Sequence, residues 1–490
     1  MKKSFFAITI SCLLATVPLY GIAMPTATNE PLALTLEDAV ALALRNNPDI
    51  EKADLGRISQ KFNLVVAKYQ FEPQAALTGS ASYTNTVSNG SSSYSKEWGI
   101  TPGATLENHY GTDFKVASTN TVTNGVYNPQ LELEVTQPLI RGFGKAVVEA
   151  ALENAKDTQV IDKLNFKSQA INTVTTVIND YLSLVETYQT LEVDNVSLKN
   201  FEQTVENDKA MIAAGRMAKS DIVQAKAQVA TQQATIASDL NSITAGKNTL
   251  LNDIGLPPTT NLTLPKKFNF YTVKNLILGD SKLPGLEESE NIALGNNISY
   301  QTDIITLRTL RRSLLVDKDQ RRWKLDVTGT ETFGGGSGGG ANAGVKSLFN
   351  GRNHAESVEA DLTVPIDDVN TQQTVINAEV GLDQAIVGLR QTKRQLITDV
   401  ESQYNTVLTN AENLKLSLNA LKLQEESVYI AQQKALAGQV STFEVITNQK
   451  NLATQRQSVV ESEITYLQSL VTYEQTLGIT LEPWRIRVRY

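Results

Sequence analysis

Apolar residues recur every seventh position at Val177, Leu184, Leu191, Leu198, Val205 and Ile212, and again at Val400, Val407, Leu414, Leu421, Val428 and Ala435. The two runs share one register and lie 223 residues apart. Each meets a glycine, Gly215 or Gly438, resumes a helical pattern, and stops at a second glycine forty residues on, Gly255 or Gly478. A seven-residue repeat sustained over this length winds helices around one another. The chain therefore holds two copies of one helical hairpin, each a stave of a larger coiled-coil assembly.

The duplication reaches further upstream. Leu36-Glu37-Asp38 and Ala43-Leu44-Arg45-Asn46-Asn47 open the first half, and Leu286-Glu287-Glu288 and Ala293-Leu294-Gly295-Asn296-Asn297 open the second. Both read as a short helix ending at an Asn pair. A second helix follows in each half, from about Pro48 to Phe71 and from about Ile298 to Lys324. The long helices, about Lys145 to Ala214 and Val369 to Leu436, hold some 70 residues each, or roughly 105 Å. Each partner beyond the tip glycine, such as Met217 to Ile254, is only about half as long. Adding the second helix of the same half nearly makes up the difference, so each long helix is expected to lie beside two shorter ones stacked end to end.

Between the second helix and the long one the period changes to two. Leu131-Glu132-Leu133-Glu134-Val135-Thr136-Gln137, Leu325-Asp326-Val327-Thr328 and Val358-Glu359-Ala360-Asp361-Leu362-Thr363-Val364 alternate apolar and polar, and Gln74 to Val87 is a weaker version. These predict four strands, about 74–87, 127–137, 324–333 and 357–366, joined by loops over 88–126 and 334–356. Gly334 to Gly340 contains a formal G-x-G-x-x-G match but lacks a following helix and a Lys-Ser/Thr pair, which argues for a surface loop over a phosphate cradle.

Composition narrows the compartment. Lys2 and Lys3, the apolar stretch Phe5 to Val17 and the small residues Gly21-Ile22-Ala23 read as a secretory signal over 1–23. Cys12, the only cysteine, falls inside it, and Thr9 stands where a lipidation signal would carry Leu, so ordinary cleavage is favoured. The mature chain then has neither disulfide nor thiolate site. The net charge of −8 becomes about −10 once the two lysines are removed, and with no basic patch this argues against nucleic acid. The only histidines, His109 and His354, fall in the expected loops, and no catalytic triad or metal-ligand spacing appears, so neither enzyme activity nor a cofactor is expected.

Alternating strands of about ten residues suit a half-buried soluble sheet or a tilted membrane crossing. The export signal, the strand length and the acidic partners favour the membrane. Glu132, Glu134, Asp326, Glu359 and Asp361 suit a watery lumen, and Leu131, Leu133, Val135, Val358, Leu362 and Val364 suit lipid. Four strands cannot close a barrel, and an open edge in hydrocarbon costs several kcal/mol per unpaired group, so closure must come from other copies of the chain. Three copies would give twelve strands and twelve helical staves, although this arithmetic does not exclude a dimer.

The duplicated helix-strand-strand-helix plan, Gln137-Pro138-Leu139 after the second strand, and the acids Asp221 and Glu444 six residues beyond Gly215 and Gly438 resemble the TolC-type outer membrane efflux proteins. The resemblance spans about residues 34 to 480. It implies a mainly α protein with a membrane β-barrel part: a homotrimer whose twelve-stranded barrel in outer membrane lipid continues as a twelve-helix periplasmic α-barrel. The two repeats would cover 24–270 and 271–490. Such channels are passive exit ducts of tripartite pumps or type I secretion systems, with a periplasmic adaptor and an inner membrane RND, ABC or MFS transporter.

The resemblance also implies roles at the tip. Gly215, Arg216, Met217 and Gly438, Gln439, Val440 would form the turns where adaptor hairpins dock. Glu444 would belong to an acidic ring at the closed aperture and Asp221 to its latch, although both also read simply as acids favoured by a helix N-terminus. Thr447 stands where the family often has a second acid, Val440 where an arginine is sometimes found, and Arg216 supplies a basic residue beside the first glycine instead. The rival reading is a periplasmic coiled-coil adaptor that bridges envelope components.

Overall fold

The computed structural model describes residues 32–220, 222–265, 268–279, 283–335, 341–349, 351–437 and 439–486. The expected signal over 1–23, with Cys12, lies outside them. The first half runs β1 (Leu32–Ala33), α1 (Leu36–Asn46), α2 (Pro48–Tyr69), β2 (Gln74–Ser88), β3 (Ser91–Glu107), β4 (Asp113–Thr123), β5 (Val126–Pro138), α3 (Lys145–Val148), α4 (Ala150–Ala213) and α5 (Ile222–Ile254). The second runs β6 (Leu262–Thr263), α6 (Phe270–Leu278), α7 (Leu286–Asn296), α8 (Ile298–Gln320), β7 (Lys324–Gly334), α9 (Ala341–Phe349), β8 (His354–Thr363), α10 (Val369–Leu436) and α11 (Thr442–Leu477).

The Asn pairs have a stronger role than ending a helix. Asn47 ends α1 and caps α2, where its Oδ1 accepts from the backbone N–H groups of Asp49 (2.8 Å) and Ile50 (3.3 Å). Its Nδ2 then donates to the Asp253 carbonyl in the last turn of α5, at 2.7 Å. Asn297 repeats the arrangement, accepting from Tyr300 N–H (3.1 Å) and donating to the Thr476 carbonyl of α11 (3.3 Å). One side chain thus satisfies orphan groups at two helix ends. Gly255 and Gly478 make the approach possible: both are left-handed (φ +79° and +77°), and a Cβ on either would fall onto the Asn46 or Asn296 carbonyl. α5 and α2 therefore stack end to end along α4, and α11 and α8 along α10, as the helix lengths require.

The heptad residues line these contacts. Val177, Leu184, Val205, Val400, Val407, Leu414 and Val428 are buried, and Leu191, Leu198, Ile212, Leu421 and Ala435 half-buried. The main core sits at the waist, where α1, α6, α7 and the C-terminal turn wrap the middle of α4 and the C-terminal end of α11. There β1 pairs in parallel with β6, Leu32 opposite Leu262, and the Tyr181 hydroxyl donates to the Leu34 carbonyl at 3.3 Å. Polar groups are buried in this layer beside apolar neighbours, among them Tyr473, whose hydroxyl meets that of Ser289, and Glu474.

The sheet corrects one expectation. It has six strands rather than four, in the order β2-β3-β4-β5-β7-β8, every pair antiparallel. The four expected strands are present, but the segment 88–126, read as a loop from its Ser, Asn, Thr and Gly content, supplies β3 and β4. Composition misled here because hydroxyl-bearing residues on one side of a strand look like loop when their apolar partners are sparse. The second expected loop, 334–356, is corrected too: a helix does follow the glycine run, and this α9 packs over Tyr127 and Pro129 of β5 through Gly344, while residues 336–340 of the run lie outside the described residues.

Asn47→Ala is expected to lower stability by about 1 kcal/mol through the lost cap. Gly255→Ala is expected to cost more, because positive φ alone costs a side chain about 1 kcal/mol and the new Cβ must also displace the Asn46 carbonyl. Thermal unfolding of the purified protein checks both. Burial, reinforced by Glu482, pushes the Glu474 carboxyl up to about 9, and burial with the neighbouring Asp253 carboxyl pushes Asp180 up to about 7. The unfolded chain ionises both near pH 4, so the folded state holds extra protons above that value, and stability is expected to fall as pH rises from about 4.5 towards 9. Glu474→Gln should flatten the upper part of that decline in melting temperatures measured from pH 5 to 9.

Candidate channel lining and tip

The sheet has one apolar face and one polar face. Register places Leu77, Ile100, Val116, Leu133, Val135, Val327, Val358 and Leu362 on one side, with Trp98 beside Ala81 and Val122 nearer the far end. The charged residues on that side, Lys96, Glu331 and Glu356, lie towards the far ends of their strands. The other side carries Thr78, Ser80, Ser82, Thr84, Thr101, Thr121, Thr328, Thr330 and Thr332, and all five acids singled out from the sequence. Among these, Lys115 Nζ lies 2.8 Å from Glu132 Oε1 and 3.0 Å from Glu134 Oε2. Asp326 stands opposite Asp361 and pairs with Lys324 at 2.8 Å, and Glu359 stands opposite Thr328.

The near ends of the strands are built into the helices. In the turn between β3 and β4, Asn108 Oδ1 accepts from the N–H groups of Tyr110 (2.8 Å) and Thr112 (2.9 Å), and Thr112 Oγ1 donates to Gln137 Oε1 at 2.6 Å. His109 stacks on Phe71 and places Nδ1 2.8 Å from Glu149 Oε1, between α3 and α4. His109 is exposed in this turn, as the sequence expects of a surface position, and there it also docks the turn onto the helices. Arg308 and Arg312 of α8 pair with Asp157 of α4, joining the two repeats at the same level.

At the opposite end, Gly215 (φ +70°) turns α4 towards α5, with Arg216 N–H donating to the Met211 carbonyl at 2.9 Å. Gln439 N–H donates to the Lys434 carbonyl at the same distance, so the second turn repeats the first. Arg216 and Gln439 are exposed, Met217 and Val440 half-buried. Gly438 and Asp221 lie outside the described residues. Glu444 is exposed in the first turn of α11, its N–H directed at Ser441, in a shallow recess shared with Lys434 and Asn448. Thr447 is exposed, and its hydroxyl donates to the Phe443 carbonyl of its own helix (2.8 Å).

Sequence reasoning missed the seam that holds the two repeats together from the waist to the tip. α4 and α11 run antiparallel with polar bridges along their length: Gln475 to Asn172 (3.1 Å), Gln468 to Ser183 (3.2 Å), Gln457 to Asp194 (2.9 Å), Thr204 to Gln449 (3.3 Å) and Thr442 to Asp208 (3.0 Å). Asp194 and Asp208 are each 2% exposed. Burial and the adjacent Asp194 carboxyl push Asp239 on α5 up to about 6. A signal was available, since Asn172, Ser183 and Asp194 recur every eleven residues, a spacing that keeps one side of a nearly straight helix.

No helix among the described residues is long and apolar enough to cross a membrane. The family model of the outer membrane efflux proteins matches residues 326–479, from β7 to the glycine that ends α11 and the residue after it. The chain carries an outer membrane efflux protein domain. The first half likewise runs from strands to a long helix and a shorter one, with four strands in place of two. Among curated proteins nothing matches. Among solved structures the fold is similar to that of CusC, at 15% identity over 93% of this chain and 97% of that one, with a TM-score of 0.70. The CmeC outer membrane channel of Campylobacter jejuni matches at 13% identity over 94% and 91%, TM-score 0.67. The MtrE outer membrane channel of Neisseria gonorrhoeae, in its open state, matches at 14% over 91% and 89%, TM-score 0.67. The efflux protein domain thus sits in a chain whose whole fold is that of the outer membrane channels.

Reversing the chemistry of each face tests the assignment. Leu133→Arg puts a charge on the apolar face, which costs about 2 to 4 kcal/mol at a bilayer midplane. It is expected to remove the protein from outer membrane fractions, whereas Thr330→Arg on the polar face leaves it there.

Proposed function

We propose that this chain is a passive exit duct of the outer membrane, working as a homotrimer whose sheet closes through neighbouring copies and whose paired helices form the periplasmic tube. The observation that carries the reading is the sheet itself: one apolar face, one polar face, and two edges, β2 and β8, that pair on one side only among the described residues. Such edges are untenable in hydrocarbon until another copy covers them. The polar face then lines water, and the acids on it favour cations.

The tip is the proposed gate. Glu444, exposed at the start of α11, would face its symmetry mates across the aperture, and Thr442–Asp208 would hold the two repeats closed beside it. An adaptor docking on the turns at Gly215–Met217 and Gln439–Val440, with an inner membrane transporter of the RND, ABC or MFS class behind it, would open the end by parting that seam. The function is efflux or type I secretion, with no chemical step in the duct.

Single-channel recording in a planar bilayer tests this. Wild type is expected to conduct weakly with cation preference, Glu444→Gln to lose much of that preference, and Asp208→Ala to raise conductance by loosening the seam. A conducting pore indifferent to both changes would remove the gate assignment. A soluble periplasmic pool with no pore would favour the coiled-coil bridge.

A further inference from the structure

The two strands that the sequence pattern did not reveal are full members of the sheet. β3 and β4 keep the same alternation as their neighbours: Trp98, Ile100, Ala104, Phe114 and Val116 on the apolar side, Thr101, Thr105, Lys115 and Thr121 on the polar side. Their near turn is tied to β5 through Thr112–Gln137 and seated against the helices through His109–Glu149. They span the sheet from the helical shoulder to the far rim.

The sequence indicates their origin. Thr84-Asn85-Thr86-Val87-Ser88-Asn89-Gly90 recurs 35 residues later as Thr119-Asn120-Thr121-Val122-Thr123-Asn124-Gly125, with six of seven residues identical. Both segments end a strand that rises from the helices, and both close on an Asn-Gly turn with positive φ at each residue (49° and 79°; 49° and 84°). Hairpin β2-β3 and hairpin β4-β5 are thus two versions of one unit.

We propose that the membrane sheet of this chain was enlarged by one duplicated hairpin, and that all six strands are staves of the closed barrel. Resting on the trimer reading above, this gives eighteen strands in place of twelve. Strands about 4.8 Å apart and tilted by about 40° each occupy roughly 6 Å of circumference, so eighteen make a perimeter of about 110 Å and twelve about 75 Å. A ring of twelve helices about 9 to 10 Å apart also measures roughly 110 Å. The six-strand chain thus gives a barrel as wide as the tube beneath it, an exit that imposes no narrowing of its own and suits polar cargo too bulky for a twelve-strand mouth.

The repeat supplies its own control. Deleting residues 91–125 leaves Ser88-Asn89-Gly90-Val126, which joins β2 to β5 through the first Asn-Gly turn with antiparallel direction and both faces preserved. Single-particle reconstruction of the full chain in lipid nanodiscs, beside the deletion, is the test. Eighteen strands in the full chain and twelve in the deletion support the proposal, as does a polyethylene glycol size cutoff for entry from the barrel side that falls by about a third in the deletion. A trimeric full chain whose barrel has twelve strands, with residues 91–123 folded outside it, overturns the proposal and keeps the duct. A closed barrel with six strands per chain in another stoichiometry keeps the proposal and overturns the trimer. Should the deletion fail to fold, disulfides between cysteines at the opposed pairs Ala75–Ala104 and Val116–Leu133 decide the matter in the full-length chain: both form if β3 and β4 separate β2 from β5, and neither the duct nor the deletion is needed to read them.

Discussion

The architecture depends on one small contact made twice. A helix end leaves its last carbonyls and the next helix's first N–H groups without partners, and burying such ends side by side would ordinarily be costly. Asn47 and Asn297 resolve both shortages with one amide, because the left-handed glycine opposite removes the side chain that would hold the ends apart. Two short helices thereby act as one rod as long as α4 or α10. Without that joint, a long helix would have half its apolar stripe uncovered, and the core at the waist would have no floor.

Much of this was legible in the sequence because it rests on period. The seven-residue spacing of Val177 to Ile212 and of Val400 to Ala435 marked the helices, their contact line and their duplication. The Asn pairs and second glycines marked the joint, although not the bond between them, since nothing in a linear pattern shows that Asn47 reaches Asp253. The strands at 127–137, 324–333 and 357–366 announced themselves by alternating Leu or Val with Glu, Asp or Thr. β3 and β4 did not, because their watery side is mostly Ser, Thr and Gly and their apolar side is broken by Lys96 and Pro102 in β3 and by Ser118 and Asn120 in β4. The acids of the polar face were identified from the same alternation. The α4–α11 seam was not, because the regular part of its bridging residues, Asn172, Ser183 and Asp194, follows an eleven-residue spacing inside a helix already explained by sevens.

The seam and the waist divide the molecule by chemistry. Near the waist the polar bridges Gln475–Asn172 and Gln468–Ser183 run beside a large core of aliphatic side chains and buried aromatic rings, contacts that are lost only when the layers separate. Towards the tip the apolar contact shrinks to the small cluster of Phe201, Val205, Ala225 and Ile446, and the bridges beside it are amides, hydroxyls and carboxylates, which exchange partners over small displacements at little net cost. An antiparallel pair held this way has a stiff end and a yielding end, which is the mechanical distribution a duct needs if it is to be opened from one side without losing its wall.

The bare strands at the two margins of the sheet bear on how the protein reaches its place. A lone copy presents hydrocarbon with two rows of unmatched amides, so the bilayer rejects it. Only a ring with every margin covered is admitted. On the closed-ring reading, lipid therefore acts as a proofreader of assembly, passing closed rings and excluding open arcs.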